Sequence, residues 1–320
     1  MSYRYMKKYA IIGLLIWLAP DSALSQCSDA GVCSFHSNDK GIFRRSGIGV
    51  DYLNGYSGKE DDIRYESAKL AGYYWFDNRT NIDVMLPLNR QRGKAGTVEG
   101  IGDVLVILDY LVKDHPGDIT ISGETSILTG TFEATSVQVG GKFATGAVNM
   151  NGLPLLYQNG LGTNDLLLGI AYSAANPQKY NYDLFEAGFT LQIPFGIAGN
   201  IFDSLERGAD LLGRIGYQYP IFHAFGIKGQ ILAIQRLWKS TLHQYEVTTS
   251  ESSPDPIFTF SHKINDNILQ INVSASATYE YQEDIYIETG FSVPLLDKKI
   301  NFDGLKRAYT LFASANYHFK

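Results

Sequence analysis

The sequence predicts an all-β fold, an antiparallel transmembrane β-barrel of about twelve strands. Three observations carry this. Apolar and polar residues alternate over long runs, the runs are long enough to cross a bilayer, and the links between them alternate in length. Alternation is cleanest near the C-terminus. Leu269, Ile271, Val273, Ala275, Ala277, Tyr279 and Tyr281 interleave with Gln270, Asn272, Ser274, Ser276, Thr278 and Glu280. Ile285, Ile287, Thr289, Phe291, Val293 and Leu295 then interleave with Tyr286, Glu288, Gly290 and Ser292. In the last run Tyr309, Leu311, Ala313, Ala315, Tyr317 and Phe319 oppose Thr310, Phe312, Ser314, Asn316 and His318. A period of two is a strand with two chemically different faces. Each run has about ten residues, as a tilted membrane strand needs; strands of a soluble sandwich stop at about five or six. The aromatics gather at the ends of the runs, where a ring can face lipid and water together.

The chain begins with a secretory signal, residues 1–25: basic Arg4, Lys7 and Lys8, an apolar run at 11–18, and small residues Ala23 and Ser25 before Gln26. Gln26 is not the small residue that a lipoprotein box needs before Cys27. Residues 26–46 read as a periplasmic N-terminal segment before a barrel of 47–320. Cys27 and Cys33, the two cysteines of the chain, fall there. An exported chain meets an oxidising compartment, so a local disulfide is expected. With His36 nearby, the two thiols lack the spacing of a zinc site.

Composition agrees with export. The 320 residues are 45% apolar and include 21 Tyr and 32 Gly. Past the signal, no apolar run is long enough for a membrane helix, whereas strand alternation hides a lipid-facing surface from averaged hydropathy. The net charge of −6 argues against a nucleic-acid partner.

From Gly47 the strands follow in order. Ile48, Val50 and Tyr52 alternate around Gly49 and Asp51. A less regular run, 63–76, ends in Tyr73-Tyr74-Trp75-Phe76 before a turn at 77–79. Ile82, Val84, Leu86 and Leu88 form the third run, in which Pro87 weakens pairing. After a loop at 91–100 come Val104, Val106, Leu108, Tyr110 and Val112, then the turn Asp114-His115-Pro116-Gly117. Run 119–128 is read as the fifth strand, and 129–164 as an outer loop carrying a strand-like element at 136–144. The alternative makes 119–144 one long, bulged strand. Leu166, Leu168, Ile170 and Tyr172 lead through the turn 176–179 to Phe185, Ala187, Phe189, Leu191, Ile193 and Phe195. Runs 211–219 and 225–237 follow, and 240–266 is a long polar loop.

Links after the even-numbered runs are only a few residues, and those after the odd-numbered ones are mostly longer. Short periplasmic turns and long outer loops are how bacterial outer-membrane barrels are built. The regularity gives about twelve strands, or fourteen if 136–144 belongs to a full hairpin in the wall.

The stretch Leu153-Pro154-Leu155-Leu156-Tyr157-Gln158-Asn159-Gly160-Leu161-Gly162-Thr163-Asn164-Asp165, continuing through Leu166 to Ser173, resembles a motif of the bacterial outer-membrane family named for the meta-pathway of phenol degradation. Ser126-Ile127-Leu128-Thr129-Gly130 is similar to an element that precedes the family's loop, with Leu128 where proline is common. The last run resembles the family's aromatic closing strand, with Lys320 added after it. The resemblance covers the chain from about Gly100 onward. It implies outer-membrane passage of hydrophobic or aromatic small molecules.

No phosphate loop, HExxH or GxSxG motif occurs, so no catalytic set, cofactor or metal is expected. His318 lies on the polar face, whereas a lipase-like site on the outer wall would need the other. The inward set holds Asp51, Asp83, Asp109, Glu124, Glu186, Glu280 and Glu288, with Arg214, Lys228 and Arg236 as counter-charges. These read either as pairs across the lumen or as a lumen that favours cations. Expected partners are outer-membrane lipid and lipopolysaccharide, the barrel-assembly machinery and a small-molecule solute. Two functions follow: a channel for small solutes, or a non-transporting barrel whose loops, notably 240–266, bind a partner or surface ligand.

Overall fold

The computed structural model describes residues 45–115, 118–122, 125–129, 131–177, 182–199, 203–222, 224–246, 258–263, 269–281, 284–296 and 307–319. Twelve strands close into one antiparallel barrel. They are β1 (Gly47–Tyr56), β2 (Arg64–Trp75), β3 (Thr80–Gly93), β4 (Val104–His115), β5 (Phe132–Phe143), β6 (Asn164–Pro177), β7 (Tyr182–Phe195), β8 (Asp210–Phe222), β9 (Phe225–Arg236), β10 (Gln270–Tyr281), β11 (Ile285–Leu296) and β12 (Tyr309–His318). Each pairs with its neighbours in sequence. The seam closes where β1 pairs with β12, from Gly47↔His318 to Tyr56↔Tyr309. The end holding Gly47 and His318 is the periplasmic end of the predicted topology. The signal segment, the cysteines Cys27 and Cys33, and Glu124 lie outside the described residues.

The alternation read from sequence becomes an inside-out molecule. On β1 Ile48, Val50 and Tyr52 are exposed on the outer wall, while Asp51 between them is buried. On β10 the buried residues are Gln270, Asn272, Ser274 and Thr278, and Tyr279 is exposed. Exposed aromatics gather at the periplasmic strand ends. Tyr74 meets Phe76 edge-on, Tyr317 meets Phe319 likewise, and Phe222 stacks on Phe225 with centroids 5.2 Å apart. Such a girdle suits a membrane–water boundary.

The fifth wall strand corrects the sequence reading. It is β5, Phe132–Phe143, rather than 119–128. It pairs with β4 through Leu108↔Val139 and with β6 through Val139↔Leu168. Residues of the expected strand instead form a separate hairpin, Asp118–Ser122 with Thr125–Thr129. The link after β4 is therefore long and structured, and 119–144 is not one bulged strand. The physical reason lies in the partners. Val137 and Val139 are exposed on the outer wall while Ser136 and Gln138 are buried, so this run matches the two-faced environment of its neighbours. Because one run replaces the other, the wall keeps twelve strands and fourteen are not reached.

Pro87 sits where its missing N–H is tolerated. β3 pairs with β4 only from Thr80 to Met85, and above that with a short strand, Gly96–Ile101, from Leu88 to Gly93. Proline falls in the gap between the two ladders, as expected of a residue that cannot donate. Its carbonyl still accepts from Gly102 N at 2.8 Å. At the extracellular end, Ala198–Gly199, Asp203–Glu206, Thr241–Glu246 and Phe258–Lys263 form a four-stranded sheet of loop segments.

Two measurements test the wall and its direction. Ala275→Arg, on the exposed face of β10, should cost about 2–4 kcal/mol of stability in bilayers. Ser276→Lys, inward beside Glu288, should cost much less; equal costs would reverse the faces. In intact cells a cysteine at Lys59, in the exposed loop after β1, should react with a membrane-impermeant maleimide. One at Asn78, in the turn after β2, should stay unlabelled; the opposite pattern would invert the barrel.

Candidate functional site: the barrel lumen

Alternation aims every second side chain of each wall strand into the lumen. The periplasmic third is polar and paired. Glu186 on β7 and Lys228 on β9 meet at 2.9 Å, both buried. They reach across β8 over Gly216, where an added Cβ would lie 3.4 Å from Glu186 Oε2. Asp109 accepts from Gln138 Nε2 at 2.7 Å on the neighbouring strand. Glu288 accepts from Ser276 Oγ at 2.6 Å and from Tyr286 Oη at 3.2 Å. Tyr286 also reaches β8, where its hydroxyl lies 3.3 Å from Gln218 Oε1. At the rim Arg45 lies 3.8 Å from Glu280.

The middle third has two unlike walls. On one side Ala71, Met85, Leu105, Ile107, Leu167, Leu212, Leu232 and Ile234 form one buried apolar cluster. They come from β2, β3, β4, β6, β8 and β9, and all project inward. Beyond them, β10 and β11 present Asn272, Ser274 and Ser292, all buried. A small molecule in this region would meet aliphatic surface on one side and hydroxyl and amide groups on the other.

The extracellular third is tied by a buried charge network. Arg236 grips Asp210 with two parallel hydrogen bonds, Nε to Oδ1 at 2.9 Å and Nη2 to Oδ2 at 2.9 Å. Its Nη1 also reaches Ser240 Oγ at 3.0 Å. Arg207 bridges Asp210 at 3.0 Å and Asp165 at 3.5 Å. Lys142 lies 2.9 Å from Asp165 and 3.7 Å from Asp103. Gln192 also donates to Asp165. Cations and carboxylates balance here, as a buried set must to offset its desolvation.

Asp103 does more than balance charge. Its carboxylate accepts from Gly146 N at 3.0 Å and from Leu161 N at 2.9 Å, near the two ends of loop 144–163. That loop turns inward. Gln158 and Asn159 are buried, and Gln158 accepts from Met150 N at 2.9 Å. Tyr157 packs with Ile63, Tyr65 and Val98, supported by Met150, Leu153 and Leu156. Nearby, Asp62 accepts from Tyr56 Oη at 2.9 Å, which holds its carboxyl below the usual range.

Among the charges expected from sequence, Asp51, Asp109, Glu186, Lys228 and Arg236 are buried in the lumen, and Asp83, Arg214, Glu280 and Glu288 are half-buried along it. The structure joins Glu186 to Lys228 directly and gives Arg236 a partner, Asp210, that the sequence did not indicate. Asp103, Lys142, Asp165, Arg207 and Asp210 were missed because their pairing is non-local. The apolar belt left a readable trace. Alternation fails at 104–108, 166–168 and 231–234, where apolar residues run consecutively because both faces are apolar. Among the described residues no group of three His, Cys, Asp or Glu could hold a metal ion. A groove of about 370 Å³ lies at the outer wall beside Tyr52, Leu88 and Ile101, not in the lumen.

No protein-family model matches the chain, and no curated protein does. Among solved structures it is similar to the COG4313 outer membrane channel from Pseudomonas putida F1, with a TM-score of 0.56 and 12% identity over 86% of this chain and 96% of that one. The two share a barrel fold. The CymD monoaromatic hydrocarbon channel aligns with a TM-score of 0.40 at 11% identity, covering 94% and 99% of the two chains. A Pseudomonas aeruginosa FadL homologue aligns at 0.38 and 8% identity, covering 93% and 96%.

The Asp103 contacts predict a latch. Asp103→Ala should leave the barrel folded, free loop 144–163 and raise single-channel conductance in planar bilayers. Chymotrypsin should then cut near Tyr157 faster than in the unaltered protein. Unchanged conductance and cleavage would show that the loop holds without Asp103.

Proposed function

We propose that this chain is an outer-membrane channel for small hydrophobic or amphiphilic molecules, aromatic ones among them. The observation that carries the reading is the aliphatic belt inside the barrel. A lumen serving hydrated ions alone has no use for Met85, Leu105, Ile107, Leu167 and Leu232 on its inner face. These side chains pack on one another and are nearly free of solvent, so an apolar solute passes by replacing their mutual contacts with its own, whereas a hydrated ion would have to shed its water there. Asn272, Ser274 and Ser292 supply hydrogen bonds for a hydroxyl or similar group. The apolar outer wall and the aromatic girdle support an outer-membrane location, and the sequence resemblance to the phenol meta-pathway family points the same way. No step of bond making is part of this reading.

The extracellular sheet of loop segments supports a second reading, in which the loops display a surface to a partner. Uptake decides between them. Cells expressing the chain should take up a radiolabelled small phenol faster than cells without it. Leu105→Glu with Leu232→Glu, placed in the belt, should lower that uptake several-fold while heat-modifiable gel mobility still reports a folded barrel. Uptake equal to that of cells lacking the chain would leave the display reading in its place.

A further inference from the structure

Four buried cations of the lumen meet an acid among the described residues. Lys142, Arg207, Lys228 and Arg236 each lie within 3.5 Å of a carboxylate oxygen. Arg307, just before β12 at the extracellular end, is 5% exposed and has no carboxylate at ion-pair distance among the described residues. Its guanidinium carbon lies 4.4 Å above the Tyr65 ring. Among the described residues its Nε has no hydrogen-bond partner, and neither does Oγ1 of Thr310, which is 1% exposed. Both groups converge on Gly55. An added Cβ there would come 3.1 Å from Arg307 Nη1 and 3.3 Å from Thr310 Oγ1. Burial pushes the Arg307 pKa down to about 10, with the charge interaction with Tyr65 opposing that shift, so it stays cationic at neutral pH.

An unpaired buried charge is costly, and the cation–π contact recovers only part of that cost. Two donors without acceptors, held against a glycine, lack an anion. The surroundings say what kind. Tyr65 belongs to the apolar cluster with Ile63, Val98 and Tyr157, so the anion's remaining body meets aromatic and aliphatic surface.

We propose that Arg307 and Thr310 form a recognition site for a small organic carboxylate with an apolar body, at the extracellular entrance to the lumen. The carboxylate accepts from the guanidinium and the hydroxyl, and the apolar body lies against the Tyr65 cluster. The site is covered in the unliganded chain. Loop 57–63, closed by Ile63 N donating to Ser57 Oγ at 2.9 Å, opens to admit the ligand. As an entrance station the site rests on the channel reading; binding at the site is measured apart from transport.

The test is calorimetric titration of the full chain in detergent with benzoate, benzyl alcohol, acetate and inorganic phosphate. Benzoate should bind more tightly than each of the other three. Arg307→Met should weaken benzoate about tenfold or more, equivalent to about 1.4 kcal/mol, and leave benzyl alcohol unchanged. Arg307→Lys should fall between, and serves as the variant if the methionine protein does not fold. Undiminished benzoate binding in both variants, phosphate or acetate binding as tight as benzoate, or no benzoate binding by the unaltered chain would each overturn the site. If benzoate binds as expected but phenol uptake is absent, the channel reading fails and the binding site stands.

Discussion

Every feature of this molecule depends on the requirement that backbone N–H and C=O groups crossing hydrocarbon be paired within the protein. Water cannot substitute for a missing partner there, and each unpaired group costs several kcal/mol. The twelve strands meet this by closure, and the seam between β1 and β12 runs in register over the whole of β1. Closure removes the sheet edges and divides each strand's side chains between lipid and lumen. Where the ladder is interrupted, at Pro87, a short strand takes over the pairing and the nearby carbonyl finds Gly102. The interruption lies toward the extracellular end, beside loops able to supply replacement partners.

Once the outer wall is apolar, the lumen becomes the place for polar groups, and their cost sets the rules. Glu186 with Lys228, Asp210 with Arg236 and Asp165 with Lys142 obey the same constraint: a buried charge needs an opposite charge in contact. The apolar belt obeys a different one. Aliphatic side chains in a lumen gain nothing from lipid, so their clustering on β2–β9 leaves an inner wall that a solute can share. Polar latch above, apolar belt in the middle and paired charges below give the lumen three zones.

The fold was legible because a membrane strand repeats a simple physical demand at every second residue. Runs 269–281, 285–295 and 309–319 show it almost without exception, and the structure places β10, β11 and β12 there. The fifth strand was misassigned because 119–128 and 132–143 carry similar local signals, and the segment before a long loop can satisfy strand propensity in either place. Selection between them came from pairing. Val139 has partners at Leu108 and Leu168, while 118–129 pairs only within itself in the described ladders.

By itself the sequence determined the barrel and a count of about twelve strands, since these follow from local period and from link length. Only the tertiary structure decided which charges meet, that Asp103 holds both ends of loop 144–163, and that Arg307 stands over Tyr65. Those contacts join residues far apart in the chain. Alternation fixes which way a side chain points, but strand register and loop closure fix what it touches.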